Sequence, residues 1–235
     1  MSILKIKNLN LKINNINILN NINCEFQQGE FIQIFGANGS GKSSLLKCLY
    51  KQYANYNGEI ILNNTNIKEI SNKKLYKKIA FITQDIEQML FQDLSIKDNY
   101  MLFSQKNHYK EFIKQLKLLN NKFKILNNIG DIIVKNLSGG QKQLLVLYLM
   151  LERNPELIIL DEHISAIDKK MVKIIMDHIY KIINQKQITC IMVCHDLEIV
   201  AKYNSKIIIL KNGKIENIIQ SNNIKAITKE LVDLL

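Results

Sequence analysis

The sequence predicts an α/β fold, and three observations carry that prediction. The segments PELIILDE (155–162) and QITCIMVCHD (187–196) run apolar without alternation, as parallel strands buried on both faces do. Between them MVKIIMDHIYKII (171–183) repeats its apolar residues at helical spacing. The N-terminus, MSILKIKNLNLKI (1–13), instead alternates apolar and polar, the pattern of a half-buried strand.

Taken in order, ILKIKNLNLKI, INILNNINCEF and EFIQIF read as short strands, divided by turn-prone Asn14-Asn15 and Gln28-Gly29. A glycine-rich turn leads into SSLLKCLYKQY at helical spacing. EIILNNTNI is a hairpin with Asn63-Asn64 at its tip, and KKIAFITQD contains a further strand. From about 86 to 152 the pattern is helical, clearest in EFIKQLKLL and QKQLLVLYLML. SKIIILKNGKIENI forms a hairpin on Asn212-Gly213, and a short helical tail follows from about 221, with no room for an added domain.

Composition limits the function classes. The apolar share of 47% and charged share of 23% describe a globular chain, not a disordered one. No apolar run approaches the roughly 20 residues a membrane span needs. The longest, Leu144 to Leu151, reads as a buried helix. The alternating N-terminus is a strand and not a signal peptide, so a cytoplasmic chain is expected. The net charge of +11 raises a nucleic-acid surface, yet lysines are spread along the whole chain and Arg153 is its one arginine. That bias, with its abundance of Asn and Ile, fits an AT-rich genome. General solubility, or weak attraction to an anionic membrane face, is favoured over nucleic-acid binding. Cys24, Cys48, Cys190 and Cys194 are scattered; Cys190 and Cys194 beside His195 read as buried reduced thiols rather than a metal site.

Gly36-Ala37-Asn38-Gly39-Ser40-Gly41-Lys42-Ser43 fits G-x-x-x-x-G-K-[ST], after an apolar strand and before a helix that continues with Ser44. Glycines let successive backbone N–H groups converge on phosphate oxygens, and the helix N-terminus adds its dipole. Lys42 is placed for the β- and γ-phosphates. The Ser43 hydroxyl is placed for Mg²⁺, which keeps waters and takes few protein ligands. Alone, the loop means only a P-loop NTPase.

Leu137-Ser138-Gly139-Gly140-Gln141 opens a long apolar helix, with Ser138 able to cap it and glycines exposing N–H groups. At these residues the chain resembles the ATP-binding cassette (ABC) family, whose signature is LSGGQ, and the resemblance extends over essentially the whole sequence. It implies a RecA-type core sheet, an N-terminal antiparallel β lobe and a helical subdomain carrying the signature. As one domain, that divides the chain into 1–85 and 153–235 for the core and β lobe, with 86–152 the helical part. It makes Asp161, ending LIILDE, the Walker B ligand of the Mg²⁺ shell. Glu162 becomes the catalytic carboxylate that polarises water. Gln84 of FITQD becomes the Q-loop residue, touching Mg²⁺ and the lytic water. Ser165-Ala166-Ile167-Asp168 matches the D-loop, and His195 the switch histidine that senses the γ-phosphate. ATP and Mg²⁺ are the implied cofactors. Gly36 to Ser44, and Ser138, Gly139, Gly140 and Gln141 of a second chain, are the implied nucleotide contacts.

The sequence departs from the family pattern at several points. Ile13 stands where an aromatic residue usually stacks on the adenine. Leu144 and Leu149 replace arginines after the signature, and His163-Ile164 follows the catalytic Glu. LDEHISAID is similar to a bacterial subfamily with LDEHTAALD, whose members accompany substrate-binding proteins for aromatic amino acids or related small solutes. The resemblance implies the ATPase subunit of a membrane transporter, with import the expected direction although exporters share these motifs. Its partners are a second cassette in a homodimer or similar pair, separate permease chains on the inner membrane face, and an extracytoplasmic binding protein. A soluble ATPase, such as one of iron–sulfur cluster assembly, stays as the alternative. Asp85 to Tyr100, with apolar Met89, Leu90, Phe91 and Leu94, is the expected permease-docking surface.

Overall fold

Alternation in the first 27 residues builds two long strands, β1 (Ser2–Ile13) and β2 (Ile16–Gln27), paired antiparallel across Asn14-Asn15. The computed structural model describes residues 2–83, 85–104, 108–119, 128–161, 169–193, 202–203 and 206–220. Asn14 and Asn15 both take positive φ, 48° and 65°, as a two-residue hairpin turn matching strand twist requires. The same device closes the hairpins at Asn63-Asn64 and Asn212-Gly213. These strands are longer than the expected short ones. Bulges bend them and keep their apolar faces inward, with Asn8 at φ 47° inside the register break between Ile6 and Leu9.

The remaining strands follow from the same reading. β3 (Phe31–Phe35), β4 (Tyr56–Leu62), β5 (Thr65–Asn66) and β6 (Ile79–Ile82) come from the first part of the chain. β7 (Leu157–Asp161), β8 (Thr189–Val193), β9 (Lys206–Lys211) and β10 (Lys214–Gln220) complete the set. One sheet has the order β2-β1-β4-β5, the other β10-β9-β3-β8-β7-β6. In the second, β6, β7, β8, β3 and β9 are parallel and β10 is antiparallel. Every residue of β3, β6, β7 and β8 is buried, so their sequences do not alternate.

Between strands lie α1 (Lys42–Leu49), α2 (Asn72–Lys78), α3 (Ile96–Phe103), α4 (Tyr109–Leu119), α5 (Gly139–Leu151) and α6 (Lys169–Lys186). Successive residues of the six-stranded sheet feed two separate cores. Ile32, Ile34, Ile159 and Ile191 face β1, β2 and α1. Phe31, Ile158, Leu160 and Met192 face α5 and α6. α5 is buried from Gly140 to Leu151 and apolar all round from Leu144 on, which makes it a core helix. Leu144 and Leu149 are wholly buried there, so charged side chains at these positions would have to be desolvated. The Tyr148 hydroxyl meets His178 Nε2 and ties α5 to α6; burial lowers the His178 pKa to about 4, which keeps the ring neutral.

The apolar stretch expected to dock a partner divides. Leu90 is buried and Met89 packs on the core, because the 3-10 turn Ile86–Met89 folds them under α5. Phe91 is 53% exposed and Leu94 37%, and α3 adds Met101 and Leu102 at 52% and 60%. Among the described residues, no helix is long and apolar enough to cross a membrane.

Candidate functional site

The apolar run of β3 stops at Phe35, in the middle of the sheet between β8 and β9. The chain must then leave the strand end within six residues to start α1, and glycines make that possible. At Gly36 (φ 155°) an added Cβ would lie 2.1 Å from the Leu210 carbonyl oxygen, so no side chain fits. Ser40 N–H donates to the Ala37 oxygen (3.2 Å), closing a turn in which Gly39 takes φ 81°. That is the value the third position of a type II turn requires.

The β9–β10 turn braces this loop from outside: Gly213 N–H donates to the Ser40 oxygen (3.0 Å), while the Gly213 oxygen accepts from Asn20 N–H (2.8 Å). Together the loop and Ile209 to Asn212 line an open depression. The role of Asn212-Gly213 in holding the loop was not legible. Its sequence signals a hairpin but not what the hairpin touches.

Lys42 is buried with its ammonium folded back on the loop, donating to the Gly36 (2.8 Å) and Ala37 (3.0 Å) oxygens. The first turn of α1 has no acidic residue to offset this charge or the helix dipole. The next side chain, Ser43, donates its hydroxyl to Asp161 Oδ1 at 3.1 Å. Asp161 ends β7 and is buried. The fold thus brings together a loop and a strand end 118 residues apart in sequence. A buried carboxylate beside a hydroxyl is an oxygen donor set suited to a hard divalent cation with retained waters.

The second glycine motif starts α5 on the other side of the sheet. Ser138 is its N-cap residue, and its N–H donates to Gln141 Oε1 (2.9 Å), so the Gln141 side chain closes the helix start. Ser138 and Gly139 are exposed, and a Cβ on Gly139 would meet nothing within 4 Å. One turn on, Lys142 donates to Glu87 Oε1 (2.7 Å), joining this helix to the segment that follows residue 84. Sequence reading missed that pair, since residues 55 apart share no periodicity.

Of the expected residues, Gly36 to Ser44 and Asp161 converge at the end of β3 and β7, and Ser138 to Gln141 stand apart from them. Gln84, Glu162, Ser165, Asp168 and His195 lie outside the described residues. The Cys48 thiol is pushed by burial to about 12, and burial also raises that of Cys190, so both stay protonated.

The ABC transporter family model matches residues 19–165. An uncharacterised ABC transporter ATP-binding protein of Methanocaldococcus jannaschii is 34% identical over 89% of this chain and 85% of its own length. A tyrosine transport ATP-binding protein of Clostridioides difficile is 31% identical over 90% of each. Relatives of like similarity are named for phosphonate, aliphatic sulfonate and methionine import. Among solved structures, a dimeric ATP-binding cassette in a post-hydrolysis state, bound to ADP and Pi, superposes with a TM-score of 0.77 at 25% identity. That match covers 93% of this chain and 99% of the other.

Proposed function

The chain belongs to the ABC transporter ATPase family, and we propose that it powers import of a small solute as one of two cassettes beneath a membrane permease. Binding and hydrolysis of ATP come with the family. The pairing rests on one observation: the P-loop and the signature helix pack on opposite faces of the same sheet. A nucleotide held by Lys42 would therefore be completed by Ser138 and Gly139 of a second chain.

In that arrangement Gly36 to Ser44 receive the phosphates, and Lys42 exchanges its carbonyl partners for phosphate oxygens. Ser43 and Asp161 hold the Mg²⁺ that neutralises phosphate charge, and Gln84 is assigned to the same shell. Glu162 takes the position of general base toward water, and His195 that of γ-phosphate sensor. Solute identity does not follow from relatives whose names span several solutes; the LDEHISAID resemblance favours an aromatic amino acid or similar small molecule. An extracytoplasmic binding protein would deliver it.

The exposed apolar residues Phe91, Leu94, Met101 and Leu102 supply the permease-facing surface. Phe91→Glu with Met101→Glu tests this reading. The purified variant keeps its ATPase rate and thermal midpoint, while solute uptake by the assembled transporter falls at least tenfold. Unchanged uptake would remove these residues from the permease contact.

A further inference from the structure

Three Asn-Gly pairs occur in the chain, at 38–39, 57–58 and 212–213, and their surroundings differ sharply. Such pairs can cyclise. The glycine nitrogen attacks the asparagine Cγ, the Cγ–Nδ2 bond breaks, and ammonia leaves a five-membered succinimide. Water then opens the ring to aspartate or isoaspartate, so the net change is an amide exchanged for a carboxylate. The step needs a glycine nitrogen free of hydrogen bonds and a peptide with room to rotate.

Two of the pairs are clamped. Gly58 lies inside β4, where an added Cβ would sit 2.3 Å from the Asn8 oxygen, and its neighbours Asn57 and Glu59 are registered against β1. The Gly213 nitrogen donates to the Ser40 oxygen at 3.0 Å, and an added Cβ there would be 2.3 Å from the Ile18 oxygen. The pair in the phosphate loop is open. Asn38 and Gly39 are exposed, and nothing lies within 4 Å of a Cβ placed on Gly39. Among the described residues, no acceptor takes the Gly39 N–H.

We infer that Asn38 is a self-modification site: the nucleotide-free loop deamidates there and places a carboxylate in its own phosphate cradle. The new charge is on the residue after Ala37, whose oxygen already holds the Lys42 ammonium at 3.0 Å. It therefore opposes phosphate directly and competes for the one buried cation of the loop. Bound Mg-ATP engages the loop amides and stops the rotation, so the nucleotide protects its own site. The inference rests on this loop being the ATP site.

The test is ageing of the full chain in warm, mildly alkaline buffer, with and without Mg-ATP, followed by peptide mass spectrometry of all three pairs. Asn38 is expected to convert at least tenfold faster than Asn57 or Asn212 without nucleotide, and at their rate with it. Calorimetry should show Mg-ATP affinity of the aged protein falling at least tenfold with an unchanged thermal midpoint. Asn38→Asp, made directly, should show the same loss. Conversion of Asn38 no faster than the other two, or full affinity after conversion, overturns the inference. Failure of freshly made protein to bind Mg-ATP would instead overturn the assignment of the loop.

Discussion

The two glycine motifs both carry a strand or loop into a helix, and they are built in opposite ways. In the phosphate loop, Gly36 is demanded because the Leu210 carbonyl oxygen occupies the space a Cβ would need, and Gly41 because its φ of 103° is a conformation side chains rarely adopt. In the signature, Gly139 has open space around it and ordinary helical backbone. The first junction is complete within one chain. The second leaves a clear surface, which the proposed pairing would cover with a second chain, and the helix behind it is buried from Gly140 to Leu151.

The contrast can be broken experimentally. Gly36→Ala should have the largest effect, about 3 kcal/mol or more of lost stability together with lost ATP binding, since the loop must leave the Leu210 carbonyl. Denaturant titration beside ATP calorimetry checks it. A fully stable variant would mean that the loop relaxes freely and its glycine is not enforced by packing.

The contact between the signature helix and the segment after residue 84 comes next. Lys142 is largely buried, with 10% of its side chain exposed, whereas Glu87 is 65% exposed. Glu87→Gln leaves that ammonium without its carboxylate and should destabilise by about 1–3 kcal/mol. Lys142→Met removes the charge but keeps the stem, and should cost about 0.5 kcal/mol, as an exposed pair does. Equal losses in urea titrations would show that burial does not distinguish the two partners.

Gly139→Ala should change stability as little as Lys142→Met and in the opposite direction, a gain of about 0.5–1 kcal/mol because alanine suits a helix start that glycine does not need. Turnover should nevertheless fall at least tenfold in a steady-state assay. Wild-type turnover would show that the clear space at Gly139 has no use.

Much of the fold was legible because period and punctuation agree. Asn-Asn and Asn-Gly pairs marked the hairpins, and unbroken apolar runs marked the strands buried on both faces. That Ser43 and Asp161 meet fits the sequence reading, which placed both at one Mg²⁺ shell without foreseeing their hydrogen bond. What escaped was contact between segments with no shared pattern: Gly213 bracing Ser40, Lys142 reaching Glu87, and Leu90 folding inward while Phe91 stays out. The run Met89-Leu90-Phe91 does not say which of its residues the chain will turn toward the core.

The pairing of two chains across the clear surface is tested most directly by sedimentation of a Glu162→Gln variant, in which a neutral amide cannot activate water and bound ATP persists. With Mg-ATP the protein should sediment at twice the mass of the single chain, and with Mg-ADP at the single-chain mass. A variant that binds Mg-ATP yet stays a single chain would contradict the account.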